Sequence, residues 1–535
     1  MKQLLCMVTI LGVCISSFGE LALYPLFRSN AVLQRDVPLI IWGRGDAGQT
    51  VNVSFAGQKK TAVADSSGHW NVTLDPMSAS AESRTLQVSN SEFQVSLTNL
   101  LIGDVWLCGG QSNMATPIRY YVDRNGRSDD EWAYFQKVMA GIPENCRNDQ
   151  IRFARIKEQV LEKPANEPDV IGSEWEPCNP VSVRELSATA WFFAQKVQQE
   201  TGFPVGLVVD AVGGTPASAW VPWEVLDSKP LYAPIRQYYE SQLKTYPERK
   251  AVYDQQAREY RKAHGLMPDE EINRWAPGAP QIPFGPEHNR RPTGLYNGMI
   301  APLAGMQFKG VIWYQGEADC YAMQGPEIYH ELFPDLIRCW RELFQCLELP
   351  FFYVQLPGFG APNSNDDVWP AMRAAQAEAE NKVPNAFMAV TIDSGLEDNI
   401  HPPEKPLVGA RLAQSALVNV YGHPGVPGGP RFLLADFEKD HVTVHFSRTG
   451  GELCARDTNR GLSAEKLCGF EVAGVDGAFV AAEASISGGA VIVHSEAVPA
   501  PVSIRYAWKD FPLANLYNED GFPAAPFSAS KEELQ

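Results

Sequence analysis

The sequence predicts an α/β fold, with a parallel sheet covered by helices and an all-β region on either side of it. Three observations predict this. From about residue 101 to 425, short strand-like apolar runs alternate with stretches of helical period, as parallel strands joined by crossover helices require. Residues 20–100 and 426–535 instead alternate apolar and polar residues at period two, between Gly, Asn, Ser and Asp turns. At 535 residues and 45% apolar composition, the chain is too long for one ordinary domain and rich enough for several cores.

The elements follow in order. Val51, Val53 and Phe55 alternate with polar neighbours, as do Trp70, Val72 and Leu74, then Leu86 and Val88, then Phe93, Val95 and Leu97. This is the pattern of a small antiparallel sandwich with one buried face. Val105, Trp106 and Leu107 read as the end of a buried strand, and 151–156 as another. Ser187 is a good N-cap for a helix reaching Gln199, and Gly202 stands just past its end. Residues 204–210 and 310–314 are further strands, the first followed by Gly213-Gly214. Between them, about 230–291 is rich in charge, Tyr and Gln, is helical over 241–264, and is too long for an ordinary connection. It reads as an insertion over the carboxyl edge of the sheet, either shaping a substrate pocket or forming a surface excursion.

Residues 328–346 place Leu332, Phe333, Leu336, Ile337, Trp340, Leu343 and Phe344 on one helix face. Pro326 suits the first turn of that helix, and Pro334 should kink it or mark its true start. Strands at 351–356 and 387–392 and a helix over 406–420 close the region, and the Pro/Gly-rich run 422–430 reads as a linker. Alternation then returns at Val442, Val444 and Phe446, at Phe470 and Val472, at 491–493, and at Val502, Ile504 and Tyr506.

The chemistry centres on 104–114, Asp-Val-Trp-Leu-Cys-Gly-Gly-Gln-Ser-Asn-Met. Gly109 and Gly110 permit a sharp turn after the strand, and Ser112 falls where the strand hands over to a helix. A hydroxyl fixed there, near free N–H groups, is a candidate nucleophile. Such a hydroxyl needs a base. His401 lies in Asp398-Asn-Ile-His-Pro-Pro, just after the last strand of the region. Asp398, three residues earlier, can hold Nδ1–H and leave Nε2 for Ser112. Candidates for the oxyanion hole are the Ser112 N–H, the Gly214 N–H and the Gln315 side-chain amide, each just beyond a strand end. Glu317, in Trp-Tyr-Gln-Gly-Glu, has several roles open to it: orienting His401, bonding Gln315 or Ser112, holding substrate, or capping the next helix. A glycosidase reading would pair Glu317 with Asp398, but it leaves Ser112 and His401 without roles.

The formal net charge of −18 argues against nucleic acid and anionic membrane surfaces as partners. Lys2, an apolar run from Leu4 to Ile15 and Ser17-Phe18-Gly19 have the form of a secretory signal over 1–19, so an exported (periplasmic or secreted) protein is expected. No other stretch reaches the roughly 18 apolar residues of a membrane span. Eight cysteines remain after the signal; Cys454 and Cys468, flanking a polar loop, are the best-placed pair for a disulfide. His441 and His445 share a strand face, but two imidazoles alone make no metal site.

Four blocks, Gly-Gly-Gln-Ser112-Asn-Met, Gly213-Gly214-Thr-Pro, Trp313-Tyr-Gln-Gly-Glu317 and Asp398-Asn-Ile-His401-Pro-Pro, resemble in that order those of the SGNH (GDSL-like) hydrolases. The flanking phrases 25–27, 32–36, 295–303 and 515–521 make the chain more closely similar to the sialate O-acetylesterases. The resemblance implies a flavodoxin-like three-layer α/β/α domain over 101–425, with accessory β domains at 20–100 and 426–535. It implies a serine esterase needing no metal or other cofactor, which removes O-acetyl groups from sugars, above all from O-acetylated sialic acid. It assigns Ser112 as nucleophile, His401 as base, Asp398 as its partner and Gly214 as an oxyanion glycine. The wider superfamily carries Asn where this chain has Gln315. An acetylesterase for plant polysaccharide such as acetylxylan, and a glycan-binding protein without turnover, are the other readings. Arg119, Arg290 and Arg291 are candidates to meet a sialate carboxylate or, more simply, are surface charges.

Overall fold

The structure, a computed structural model, describes residues 21–534 apart from 141, 143–145, 165–171, 271, 274–275, 322–324 and 361–366. The secretory segment read over 1–19 lies outside the described residues. The fold is the α/β class expected, built on one sheet. Its central part runs in the order Glu176–Cys178, Asn148–Arg155, Val205–Ala211, Gln94–Gly110, Gly310–Tyr314, Phe351–Val354, Ala386–Ala389. All of these pairings are parallel except that of the Glu176–Cys178 edge strand. Parallel strands covered on both faces must be apolar throughout, and Val105–Cys108, Val205–Val209 and Phe351–Val354 are each buried without interruption.

Side-chain alternation separates the two helical layers. Trp106 aligns with Gly310 and Trp313 with Gly109, so the two indoles emerge on opposite faces. Trp106 packs edge-on to Phe193 of the Ala188–Thr201 helix at 4.8 Å, and Trp313 packs on Trp340 of the Gly325–Leu343 helix at 5.4 Å. The Lys405–Asn419 helix lies against Ala188–Thr201, and Val368–Lys382 lies against Gly325–Leu343. Each buried indole removes roughly 150–250 Å² from water, an upper value of about 4–6 kcal/mol of transfer free energy.

The Ala188–Thr201 helix is capped as its sequence dictates. The Ser187 hydroxyl accepts from Ala190 N, and Gly202 ends the helix at φ 71°. Three elements differ from the sequence reading. The Gly325–Leu343 helix continues through Pro334, with Pro326 in its first turn. The insertion forms two helices, Ala233–Lys244 and Tyr246–His264, because Pro247 sits in the first turn of the second and opens it. Val368–Lys382 is a helix that the sequence reading missed: its apolar side chains are mostly small alanines, which give little periodic signal.

The boundary read at residue 100 falls inside one strand. Gln94–Gly110 pairs with Ser80–Ser89 and Val32–Gln34 over its first half and enters the central parallel strands with its second. A three-stranded sheet, Ala22–Leu23, Leu39–Arg44 and His69–Leu74, lies beside this extension. After residue 430 the chain forms two four-stranded sheets and one pair of strands. The eight described cysteines are free thiols, which corrects the expected 454–468 pair. The Cys454 thiol meets Asn518 O at 3.5 Å, and that of Cys468 meets Lys466 O at 3.6 Å. His441 and His445 bond to Asp440 and Asp436 at 2.9 and 3.1 Å on the surface. Among the described residues no helix is long and apolar enough to cross a membrane, and no group of three or more His, Cys, Asp or Glu side chains is set to hold a metal ion.

Candidate active site

Strand register brings the site together. Gly110 aligns with Ala211 on one side and Tyr314 on the other, so three loops leave the sheet at one level. From Gln94–Gly110 the chain runs to Asn148–Arg155 on one side of the sheet, returns through Val205–Ala211 and then crosses to Gly310–Tyr314 on the other, so the connections reverse direction at this rim, where ligands bind in open α/β sheets. At Gly110, φ is +134° and a Cβ would stand 2.2 Å from Tyr314 O, so only glycine lets the strand turn there. Ser112 follows as the first residue of a one-turn helix, Ser112–Ala115.

Ser112 Oγ lies 2.9 Å from His401 Nε2, a hydrogen bond between residues 289 positions apart in the chain. Both line a cavity of about 870 Å³, together with Gln111, Tyr120, Gly213, Gly214, Arg290 and Glu317. Burial, and then the charge of Lys405, lower the His401 imidazole to about 4, so it is neutral and able to accept a proton at ordinary pH. Gly214 has φ +73°, and its carbonyl accepts from Arg290 Nε at 2.6 Å. Among the described residues neither the Ser112 N–H nor the Gly214 N–H donates to a protein group.

Two predicted residues stand elsewhere. Asp398 makes no hydrogen bond with His401: its side chain is exposed, and no described group accepts from His401 Nδ1. The loop uses Asn399 instead, whose Oδ1 accepts from His401 N at 2.9 Å. Gln315 is wholly buried and away from the cavity wall. Its Nε2 donates to Asp319, to Thr215 O at 3.2 Å and to Gln111 Oε1 at 3.3 Å, so it supports the rim from below. Arg119 and Arg290 line the cavity, whereas Arg291 is buried under Tyr239 and does not.

Glu317 bonds neither His401, Ser112 nor Gln315. It opens the Glu317–Tyr321 helix, and its Oε1 accepts from Asn113 Nδ2 at 2.5 Å. Asn113 also donates to Ile400 O at 3.0 Å, accepts from Lys405 Nζ at 2.6 Å, and takes the Thr189 hydroxyl on its backbone carbonyl at 2.9 Å. One side chain beside the nucleophile thus ties the His401 loop to Glu317 and Lys405. Burial raises the Glu317 carboxyl and Asp319, the latter to about 7, and lowers Lys405 to about 7. Sequence reasoning gave Asn113 and Lys405 no role. The available signals were the place of Asn113 within the Gly-Gly-Gln-Ser-Asn block and the four-residue spacing of Lys405 from His401. A separate cavity of about 940 Å³ is bordered by Trp223, Tyr296 and Asp335.

With this geometry in view, comparison with known proteins gives a consistent result. Residues 102–256 and 265–418 match the family described as carbohydrate esterase, sialic acid-specific acetylesterase, which is more than half of the chain. The chain belongs to this family. As a sialic acid-specific acetylesterase family member, it is an esterase of the carbohydrate class. The sialate O-acetylesterase of Rattus norvegicus is 29% identical over 436 residues, covering 73% of this chain and 72% of the rat protein. That of Homo sapiens is 28% identical over 425 residues, covering 74% and 70%. The crystal structure of a carbohydrate acetylesterase from Xanthomonas citri superposes with a TM-score of 0.76 at 31% identity, covering 96% of this chain and 100% of that one. The family match spans all four blocks, and the Xanthomonas citri structure extends the likeness to the flanking β regions.

Proposed function

We propose that this family member is an exported sialate O-acetylesterase that works through an acyl-enzyme on Ser112. The observation that carries the reading is the 2.9 Å contact between Ser112 Oγ and a neutral His401 Nε2 on the cavity wall. His401 takes the Ser112 proton as Oγ attacks the acetyl carbonyl. The oxyanion lies against the Ser112 and Gly214 N–H groups, which have no acceptor among the described residues. The carbon–oxygen bond to the sugar breaks, and His401⁺ returns the proton to the sugar oxygen. Water then attacks the acetyl-serine with His401 as base, releasing acetate and restoring Ser112. Arg290 on the same wall supplies positive charge for a sialate carboxylate, whereas the Arg119 guanidinium is paired with Glu185 at 2.9 Å. The similarity to the rat and human sialate O-acetylesterases supports the same substrate.

The test is acetate release by the purified chain from 9-O-acetylsialate and from acetylated xylo-oligomers. Preference for the sialate is expected; release from the xylo-oligomers alone moves the substrate to plant polysaccharide.

Two further results are expected. Because burial holds the imidazole at about 4, kcat/KM stays level from pH 7 down to 5 and falls tenfold per unit only below about pH 4. The sign follows from the neutral imidazole being the active form. A histidine at its ordinary value near 6.5 would already have lost roughly thirtyfold at pH 5. A pH–rate profile with its acid limb centred near 6.5 would refute this depressed value. Second, Asp398→Asn lowers kcat less than about tenfold, since Asp398 is exposed and unbonded to His401. A carboxylate that held the imidazole tautomer would cost about 10⁴ on removal, so a loss of that order would show that Asp398 reaches His401 during turnover.

A further inference from the structure

A second cavity, of about 600 Å³, continues the first. The two share Gly213, Gly214, Asn273 and Arg290, so the Gly-Gly turn is a ridge between two compartments of one cleft. The far compartment is built almost wholly by the insertion. Tyr253 and Arg261 come from the Tyr246–His264 helix, and Ile282, Glu287 and Asn289 come from the segment that follows it. Arg290 spans the ridge: its Nε holds Gly214 O at 2.6 Å, while its Nη2 lies 3.4 Å from where a Gly214 Cβ would stand. Any side chain at 214 would narrow the passage between the compartments, as well as being strained at φ +73°.

Size and chemistry say what the cleft takes. An acetyl ester brings two carbons on its acyl side, and the roughly 870 Å³ around Ser112 already falls within the 300–1,000 Å³ that holds one small ligand. The added compartment carries the cleft beyond that range. Its wall mixes carboxylate, amide, guanidinium and imidazole groups with the half-buried Tyr253 ring. Hydroxyl-rich rings match such a wall, since polar side chains exchange hydrogen bonds with sugar hydroxyls and a tyrosine face covers their apolar side. Acids and bases are mixed on it. Glu158 and Glu287 share the wall with Arg261 and Arg290, and Glu287 lies 3.6 Å from Lys250 Nζ, so no strong field of one sign faces the cleft.

Building on the esterase reading above, we propose that the substrate is a linked glycan rather than a free monosaccharide. The O-acetylated sugar sits against Ser112, and its glycosidic neighbour crosses the Gly213–Gly214 ridge to bind at Tyr253 and Arg261. The insertion is the element that selects chain-linked sugars.

The test uses the full chain and two donors carrying the same O-acetyl group, a monosaccharide and a trisaccharide that contains it, with acetate release followed by a coupled assay. The trisaccharide is expected to show at least tenfold higher kcat/KM, through a lower KM. In Tyr253→Ala and in Arg261→Ala this ratio should fall towards one. The ratio is taken within each variant, so partial loss of folded protein does not affect it. A ratio near one in the unsubstituted chain, with acetate released from both donors, overturns this proposal and leaves the esterase reading standing. A ratio that stays high in both variants also overturns the assignment of the second compartment. Hydrolysis of p-nitrophenyl acetate without release from any O-acetylated sugar overturns the substrate reading, and this proposal with it.

Discussion

Replacing Ser112 with alanine lowers kcat for acetate release by at least about 10⁴-fold, while the melting temperature stays within a degree or two. The size follows from the role: without Oγ no acyl-enzyme forms, and only the oxyanion donors and binding remain, which together give a small residue of the full rate. The fold is spared because, among the described residues, Oγ makes one hydrogen bond, to His401, at a half-buried position on the cavity wall. Loss of one methylene-sized group at such a place costs little. Acetate release by Ser112→Ala is measured with p-nitrophenyl acetate and with an O-acetylated sugar, and thermal unfolding is followed in parallel. Activity within tenfold of the unsubstituted chain would remove Ser112 from the mechanism. Lost activity together with a collapsed melting temperature would show that the hydroxyl is structural.

Asn113→Leu produces the largest expected loss of stability near the site. Leucine has the same branching and number of side-chain heavy atoms as asparagine, though it is bulkier, so the change is mainly one of hydrogen bonding. It strands Lys405 Nζ, Glu317 Oε1 and Ile400 O at once, all of which Asn113 now satisfies. Lys405 and Glu317 are almost wholly shielded from solvent, and removing a partner from a buried charge costs on the order of 3–5 kcal/mol. With Ile400 O released, the His401 loop loses its tie to the nucleophile's own helix, and kcat should fall roughly 10- to 100-fold from misplacement alone. Denaturant or thermal unfolding reads the first effect and steady-state kinetics the second. The double variant Asn113→Leu with Lys405→Met separates them. Removing the stranded ammonium should restore part of the stability, whereas kcat stays low because Ile400 O is still unbound. Unchanged stability and unchanged kcat in Asn113→Leu would show that the triple contact contributes nothing.

Much of the site was legible in the sequence because it is made of local signals placed at strand ends. Glycine pairs mark turns that no other residue can make, and Gly110 and Gly214 both hold positive φ. The serine and histidine blocks follow recognisable strands, and in a parallel sheet all such carboxyl ends share one edge. The separation of Ser112 from His401 along the chain was therefore no obstacle. Roles that depend on where a side chain points were less legible. Gln315 and Asp398 have the right chemistry and the right places in the chain. Gln315 points down to Asp319 and Gln111, however, and Asp398 points out to solvent. Asn113 and Lys405 were passed over for the converse reason, since their importance lies in contacts across 292 positions of sequence that no local pattern displays.

The sequence by itself determined the class of fold, most of the order of strands and helices, the rim on which the chemistry gathers and the family of the chain. These depend on periodicity, turn chemistry and short blocks, each a property of neighbouring residues. Tertiary structure alone decided three further matters: that the Gln94–Gly110 strand joins the first β region to the catalytic sheet, that Asn113 ties the His401 loop to two buried charges, and that the insertion walls a second compartment beside Ser112. Each depends on register, burial or side-chain direction, which are settled only when distant segments pack and exclude water from between them.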